Sequence, residues 1–246
     1  MNTSDPTGRR NFLRSTVTIV PAAAAMTGSA LLASAQTPPE ANPTASANNR
    51  AAAPYKPVYF HPEEWAFVQA AVARLIPADD QGPGAIEAGV PEFIDRQMEG
   101  PFGHAALWYT QGPFVDSPPE FGYQGRMLPR DVYRAGIAAT NAYCKTSHGG
   151  KLFAELAAPE QDQVLTALEA GTPQFSEVDA KTFFGFLLQN TKEGYLSDPM
   201  HGGNKNAAAW AMIGFPGARA DYLDWVGRPG VKYPFGPVTI NGPQRG

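Results

Sequence analysis

Cysteine is nearly absent from this chain, with Cys144 the only one among 246 residues. A single cysteine excludes an internal disulfide framework, and it also excludes a Cys-x-x-Cys-His run for covalent attachment of haem. An unpaired thiol is either buried as a small apolar side chain or bonded to a cysteine of another chain. The sequence leaves both readings of Cys144 open.

Catalytic and cofactor motifs are missing as well. The chain has four histidines: His61, His104, His148 and His201. None pairs with another at a metal-binding spacing, and Pro199 does not favour a helix that presents Asp198 and His201 together. No Gly-x-Ser-x-Gly elbow and no Gly-x-Gly-x-x-Gly loop occurs. We therefore predict no catalytic, cofactor-binding or metal-binding residue in this chain, while a triad assembled from distant residues stays open.

The N-terminal segment has the order of an export signal. Adjacent arginines precede an apolar run that ends in Ala33-Ser34-Ala35, a small-x-small site for cleavage after Ala35. The residues that carry the twin-arginine signal are Arg9, Arg10, Phe12 and Leu13. We therefore predict a signal peptide at residues 1–35 and a periplasmic location. A retained membrane anchor and a disordered tail are the alternatives.

The balance of charge is acidic. The chain carries 19 basic and 23 acidic residues, a formal charge of −4. Removal of residues 1–35 would leave 16 basic and 22 acidic residues, a charge of −6. Because an acidic surface repels phosphate backbones, we expect no nucleic-acid partner.

Composition divides the remaining chain into two parts. Residues 36–57, rich in Pro, Ala, Asn, Ser and Thr, predict a flexible linker, and residues 58–246 predict a single domain. Apolar residues of that domain recur at three- and four-residue spacings, so we predict a mainly α-helical fold. Gly and Pro make up 49 of the 246 residues, which predicts long irregular loops and an extended C-terminal tail from Gly227.

Capping and breaking residues set the predicted helix bounds. Pro62 and Pro129 fit first helical turns, whereas Pro77 and Gly171 mark helix ends. Ser176 is predicted to cap the next helix, with Asp179 as its capping-box partner. This helix is apolar around more than half its circumference, which predicts a central position. The predicted helical segments are 61–76, 91–98, 129–147, 151–157, 159–170, the helix after Ser176, 206–213 and 218–226.

The segment 102–128 is the least regular part of the domain, and we call it the aromatic segment. Its large side chains are Trp108, Tyr109, Phe114, Phe121 and Tyr123. Aromatic side chains in a loop either fold back on the core or face a partner, and the sequence favours neither reading.

A glycine-rich motif occupies residues 193–217. It reads Glu193-Gly194-Tyr195-Leu196-Ser197-Asp198-Pro199-Met200-His201-Gly202-Gly203-Asn204, followed by Trp210 and Ile213-Gly214-Phe215-Pro216-Gly217. This pattern resembles the gluconate 2-dehydrogenase subunit 3 family, and the similarity extends over most of the domain.

The resemblance implies a non-catalytic small subunit of a membrane-bound, flavin-dependent dehydrogenase for gluconate, glucose, fructose or sorbitol. In this family the small subunit carries the twin-arginine signal, which exports the folded pair. FAD belongs to a catalytic subunit of the glucose-methanol-choline type, and haem c to a multihaem cytochrome c subunit. The expected partners are these two subunits and the twin-arginine translocase, with membrane association through the complex.

The resemblance transfers no catalytic residue, so it directs attention to contacts with the catalytic subunit. The candidate interface residues are Trp108, Tyr109, Phe114, Phe121, Tyr123, Asp198, Gly202, Gly203, Asn204 and Trp210. A core position for Trp210 is an equal alternative. Cys144 is a candidate for an intersubunit disulfide, with burial on its own helix as the alternative.

A function from another class stays open beside the subunit. The chain could be a free-standing periplasmic enzyme or ligand-binding protein that uses the aromatic segment as its pocket. A stable, active monomer would favour this alternative, whereas a neighbouring gene for a flavoprotein would favour the subunit.

Overall fold

The computed structural model describes residues 54–115 and 118–242, and these ranges form a helical domain. Its six α-helices are α1 (Pro62–Leu75), α2 (Val90–Glu99), α3 (Pro129–Ser147), α4 (Ala158–Ala170), α5 (Ala180–Leu196) and α6 (Ala208–Ile213). Short 3-10 turns occupy Pro119–Phe121, Phe153–Glu155, Pro199–His201, Lys205–Ala207 and Ala220–Trp225. Within these ranges there is no β-strand, only two isolated bridges, so the predicted mainly α-helical class is confirmed.

Helix α5 lies at the centre and contacts α1, α2, α3, α4 and α6. Its buried face includes Phe183, whose ring packs edge-on against Tyr133 of α3 with centroids 5.9 Å apart. The Tyr133 hydroxyl donates to Asn190 on α5 over 3.0 Å, which satisfies a polar group inside the core. Burial raises the pKa of Tyr133 well above its ordinary value. The central position that the apolar pattern predicts is therefore confirmed.

Proline and side-chain caps begin the helices where the sequence places them. Pro62 occupies the first turn of α1, and the Glu64 carboxylate accepts the His61 N–H over 2.9 Å. Gly171 ends α4 in the left-handed conformation. Helices α1, α2 and α3 match their predicted bounds to within one residue.

Three predicted helical segments are wrong in detail. Residues 151–157 form only the turn Phe153–Glu155, because Asn141 of α3 accepts the Phe153 N–H and draws the backbone onto α3. Helix α5 begins at Ala180, and its cap is Asp179 rather than Ser176, since the Asp179 carboxylate accepts the Thr182 N–H over 2.7 Å. The predicted helix at 218–226 is a 3-10 turn in a loop with no buried residue.

Within the described ranges, no helix combines the length and the apolarity needed to cross a membrane.

A buried carboxylate attaches the start of the domain to α2. Asp95 is fully buried and accepts four hydrogen bonds. Its Oδ1 accepts the Tyr59 and Phe60 N–H groups over 3.1 and 2.9 Å, and its Oδ2 accepts the Val58 N–H and the Tyr55 hydroxyl over 2.7 and 2.8 Å. The structure thereby fixes residues 55–60, although the sequence places Tyr55 in the flexible linker. We call this contact the Asp95 anchor.

Replacement of Asp95 should destabilise the domain strongly. Asp95→Asn turns one acceptor oxygen into a donor that faces other donors, so we expect the free energy of unfolding to fall by about 3 kcal/mol. Chemical denaturation of the purified chain measures the change. Asp162→Asn is the control, because Asp162 pairs with Arg74 at the surface and should contribute little. Equal effects of the two substitutions would contradict the role of the anchor.

Candidate functional site

The glycine-rich motif begins at the end of the central helix. Helix α5 ends at Leu196, and Asp198 caps the 3-10 turn that follows, accepting the Met200 N–H with Oδ1 over 3.0 Å. Pro199 takes the first position of that turn, where its missing N–H costs nothing. The second oxygen of Asp198, Oδ2, accepts the Ile240 N–H over 2.9 Å. Both oxygens of this carboxylate therefore bind the chain's own backbone.

The two glycines after this turn meet different requirements. Gly202 has φ +98°, a conformation that side chains rarely adopt. Gly203 passes so close to α5 that an added Cβ would lie 2.1 Å from the Gly194 carbonyl oxygen. Any side chain at Gly203 would push the turn away from α5, so the motif needs glycine here for packing.

Asn204 is fully buried and joins two helices. Its Nδ2 donates to the Ser197 carbonyl over 2.9 Å, and its Oδ1 accepts the Ala209 N–H over 2.9 Å. One amide thus satisfies a carbonyl at the end of α5 and an N–H in the first turn of α6. The backbone of Asn204 is left-handed, with φ +43°, which asparagine tolerates better than most residues.

Trp210 belongs to the chain's own interior. Its side chain is only 7% exposed, and its Nε1 donates to the Leu196 carbonyl over 2.7 Å. The Phe215 ring packs edge-on against it, with centroids 5.0 Å apart. These contacts support the core alternative for Trp210. Asn204 and Gly203 are likewise buried, so within the motif an interface would rest on exposed neighbours such as Met200.

A charged cluster links the motif to α2. The Lys205 ammonium lies 2.9 Å from the Glu92 carboxylate, which also pairs with Arg96. The Lys205 N–H donates to the Ala88 carbonyl over 3.1 Å, so main chain and side chain both attach to α2. The one lysine of the motif is therefore paired within the domain.

The aromatic segment combines both orientations that the sequence leaves open. Trp108 and Tyr123 lie against Phe186 of α5, with centroids 6.4 and 5.1 Å away, and the Tyr123 hydroxyl donates to the Met127 carbonyl. In contrast, Tyr109 is 84% exposed and Phe121 is 68% exposed. Part of the segment therefore packs on the core and part faces outward.

A cleft opens within the aromatic segment. Its volume is about 420 Å³, and its walls include Trp108, Tyr109, Phe114 and Tyr123 together with polar groups such as Gln111. The Arg126 guanidinium lies 5.4 Å from the centroid of the Phe114 ring. Phe121 does not line the cleft, so substitutions at Phe121 and at Phe114 can test the exposed surface and the cleft separately.

Cys144 lies on the buried face of α3 and is fully buried. Burial raises the pKa of its thiol to about 11, so the reactive thiolate is scarce at neutral pH. These observations support the buried alternative, because a disulfide to a partner would require α3 to expose its core face.

The remaining predicted positions carry less structural information. Arg9, Arg10, Phe12, Leu13, Ala33 and Ala35 lie outside the described residues. In the described ranges, no three His, Cys, Asp or Glu side chains gather as a metal site would require.

The sequence analysis does not identify the Asp95 anchor. A signal for it exists, because Asp95 lies beside Ile94 and Met98 on the apolar face of a predicted helix, and an acidic residue on such a face needs hydrogen-bond partners.

These contacts define a helical domain in which a glycine-rich motif joins the end of the central helix to the chain that follows. The chain belongs to the family Gluconate 2-dehydrogenase subunit 3, whose model matches residues 62–217, from the start of α1 to the end of the motif. No curated protein and no solved structure matches the chain. The family that the sequence pattern resembles is therefore confirmed, and with it a place in a multi-subunit enzyme.

Replacement of Asn204 should cost more than backbone strain alone. Asn204→Ala leaves the half-buried Ser197 carbonyl and the buried Ala209 N–H without this partner, so we expect the free energy of unfolding to fall by about 3 kcal/mol. Asn206→Ala is a matched control, since Asn206 is also left-handed, with φ +60°, but is exposed. Denaturant titration should give the control a loss of about 1 kcal/mol. Equal losses would mean that the two hydrogen bonds contribute nothing.

Proposed function

We propose that this chain is the non-catalytic small subunit of a periplasmic, flavin-dependent sugar or polyol dehydrogenase. Its roles are to export the folded catalytic subunit through a twin-arginine signal and to stabilise that subunit. The observation that carries the proposal is the family match over residues 62–217, which covers the helical core and the motif. FAD would lie in a glucose-methanol-choline type catalytic subunit, and haem c in a cytochrome subunit where one is present.

The use of polar groups in the motif supports a structural role. Asp198, Asn204 and Trp210 direct their hydrogen-bonding groups at the chain's own backbone. The Lys205 ammonium is paired with Glu92. A reactive centre needs polar groups aimed at a substrate, whereas these groups hold helices together.

The outward part of the aromatic segment supports a binding role. Leu107, Tyr109 and Phe121 are 95%, 84% and 68% exposed, and apolar side chains of this size at a surface mark interaction sites. A partner that binds only the folded form would be stabilised in that form by mass action. The physical basis of the proposed stabilisation is therefore burial of this surface.

Export of the catalytic subunit should depend on this chain. The experiment expresses the flavin subunit with and without the chain and measures flavin-dependent dye reduction in the periplasmic fraction. We expect periplasmic activity only with the chain, and its loss when Arg9 and Arg10 are both replaced by lysine. A variant with Arg50→Lys, outside the signal, serves as the control.

Two results would overturn the proposal. The first is export of the active flavin subunit without this chain. The second is dye reduction by this chain alone with a sugar, which would mean that the chain has its own chemistry.

The cleft in the aromatic segment supports a second candidate function, a ligand-binding protein. Aromatic faces beside the amide of Gln111 suit a polyhydroxylated ring, because apolar C–H faces stack on aromatic rings while hydroxyls reach polar groups. Calorimetric titration of the isolated chain with gluconate and glucose tests this candidate.

Two single substitutions separate the interface from the pocket. Phe121→Ala removes an outward ring that is no part of the cleft, and Phe114→Ala removes a wall of the cleft. For an interface, we expect Phe121→Ala to weaken co-purification of the catalytic subunit by about tenfold, because exposed aromatic anchors contribute most to binding. For a pocket, only Phe114→Ala should act, and it should abolish sugar binding. Unchanged co-purification of the Phe121→Ala variant, with its helical content intact, would remove this segment from the interface.

A further inference from the structure

After α6 the chain forms a closed loop, residues 217–238, which we call the C-terminal loop. The Ala218 N–H donates to the Val238 carbonyl over 2.7 Å, and the Val238 N–H donates to the Pro216 carbonyl over 3.1 Å. Near these two ends of the loop, the Asp198 carboxylate accepts the Ile240 N–H. The adjoining ends and internal packing of the loop are also features of the shorter Ω-loops, which are frequently functional.

The C-terminal loop keeps its shape through its own side chains. The Tyr233 ring stacks edge-on with Tyr222, Trp225 and Phe235, at centroid distances of 5.0, 5.6 and 5.6 Å. The Arg219 guanidinium lies over Tyr233 and Phe235. No residue from 211 to 238 is buried, so the loop adds nothing to the core.

The C-terminal loop exposes aliphatic side chains. Leu223, Val226 and Val231 are 79%, 67% and 56% exposed. Exposed aliphatic side chains gathered on one surface loop are costly in water and are typical of interaction sites. Since the core does not need these side chains, binding is the role that accounts for them.

Charge distinguishes the C-terminal loop from the rest of the domain. Residues 54–217 carry 11 basic and 19 acidic residues, a net charge of −8. Residues 218–238 carry three basic and two acidic residues, a net charge of +1. Asp221 and Asp224 are exposed, as are Arg228 and Lys232. Because Arg219 pairs with Asp221, Arg228 and Lys232 outnumber Asp224 among the remaining charges of the loop. The loop therefore suits a protein surface on which carboxylates border an apolar patch, and the acidic body would repel that surface.

We propose that the C-terminal loop docks the chain onto the catalytic subunit of its enzyme, at an apolar patch bordered by carboxylates. This inference rests on the proposed function, which supplies the partner. The family match ends at Gly217, where the loop begins. In this proposal the motif holds the two ends of the loop in place through Asp198. The loop itself supplies contacts that are particular to this pair of subunits.

The test uses the full chain co-expressed with the flavin subunit. Leu223→Ser combined with Val226→Ser should reduce retention of the catalytic subunit about tenfold or more, with helical content and melting temperature unchanged. The matched control is Val58→Ser combined with Ile86→Ser, two exposed aliphatic residues elsewhere on the domain, and it should retain the partner. Arg228→Glu combined with Lys232→Glu should weaken retention at low salt and have less effect at high salt.

The outcomes distinguish the two proposals. If the unaltered chain fails to retain the flavin subunit, the proposed function itself fails. If the unaltered chain and both loop variants retain it equally, the docking role of the loop is overturned while the proposed function stands. If the unaltered chain alone is a dimer by light scattering and the Leu223/Val226 variant is a monomer, the loop binds a second copy, which also overturns the inference.

Discussion

The side-chain amide of Asn204 holds together the C-terminal part of the domain. The end of any helix leaves carbonyl groups without partners, and the start of the next leaves N–H groups in the same state. Asn204 satisfies one group of each kind from a fully buried position, between the Ser197 carbonyl and the Ala209 N–H. The Trp210 indole adds a second bond to the end of α5 at the Leu196 carbonyl. The position of α6, and of everything after it, therefore depends on the end of the central helix.

The motif is packed inside the domain, whereas other segments expose large apolar side chains. Asp198, Gly203 and Asn204 face inward and determine how the backbone runs after α5. The large exposed apolar side chains lie mainly in the aromatic segment and after α6, where little of the core is built. The packed centre thereby holds the exposed side chains in one arrangement.

Much of this fold follows from the sequence because its signals are local. Proline in a first turn, glycine in a left-handed end and apolar spacing act within a few residues, so α1, α2 and α3 are predictable almost to the residue. The contacts that were missed join distant parts of the chain. Asp95 binds residues 55–60, and Asn141 accepts the Phe153 N–H. Tertiary packing also determines which residues of the motif face inward. The sequence therefore could not decide between a core position and an interface position for Trp210.

The Asp95 anchor also determines where the polypeptide enters the domain. Pro54 and Tyr55 line one shallow cleft together with Glu92 and Lys205, so these two residues lie beside the ion pair that joins the motif to α2. In an unfolded chain residues 55–60 would be a free tether, about 20 Å long at full extension. In the folded domain, the hydrogen bonds to Asp95 hold this segment in one position on α2. The entry point and the motif thus share a side, and any protein that covers this side would contact both at once.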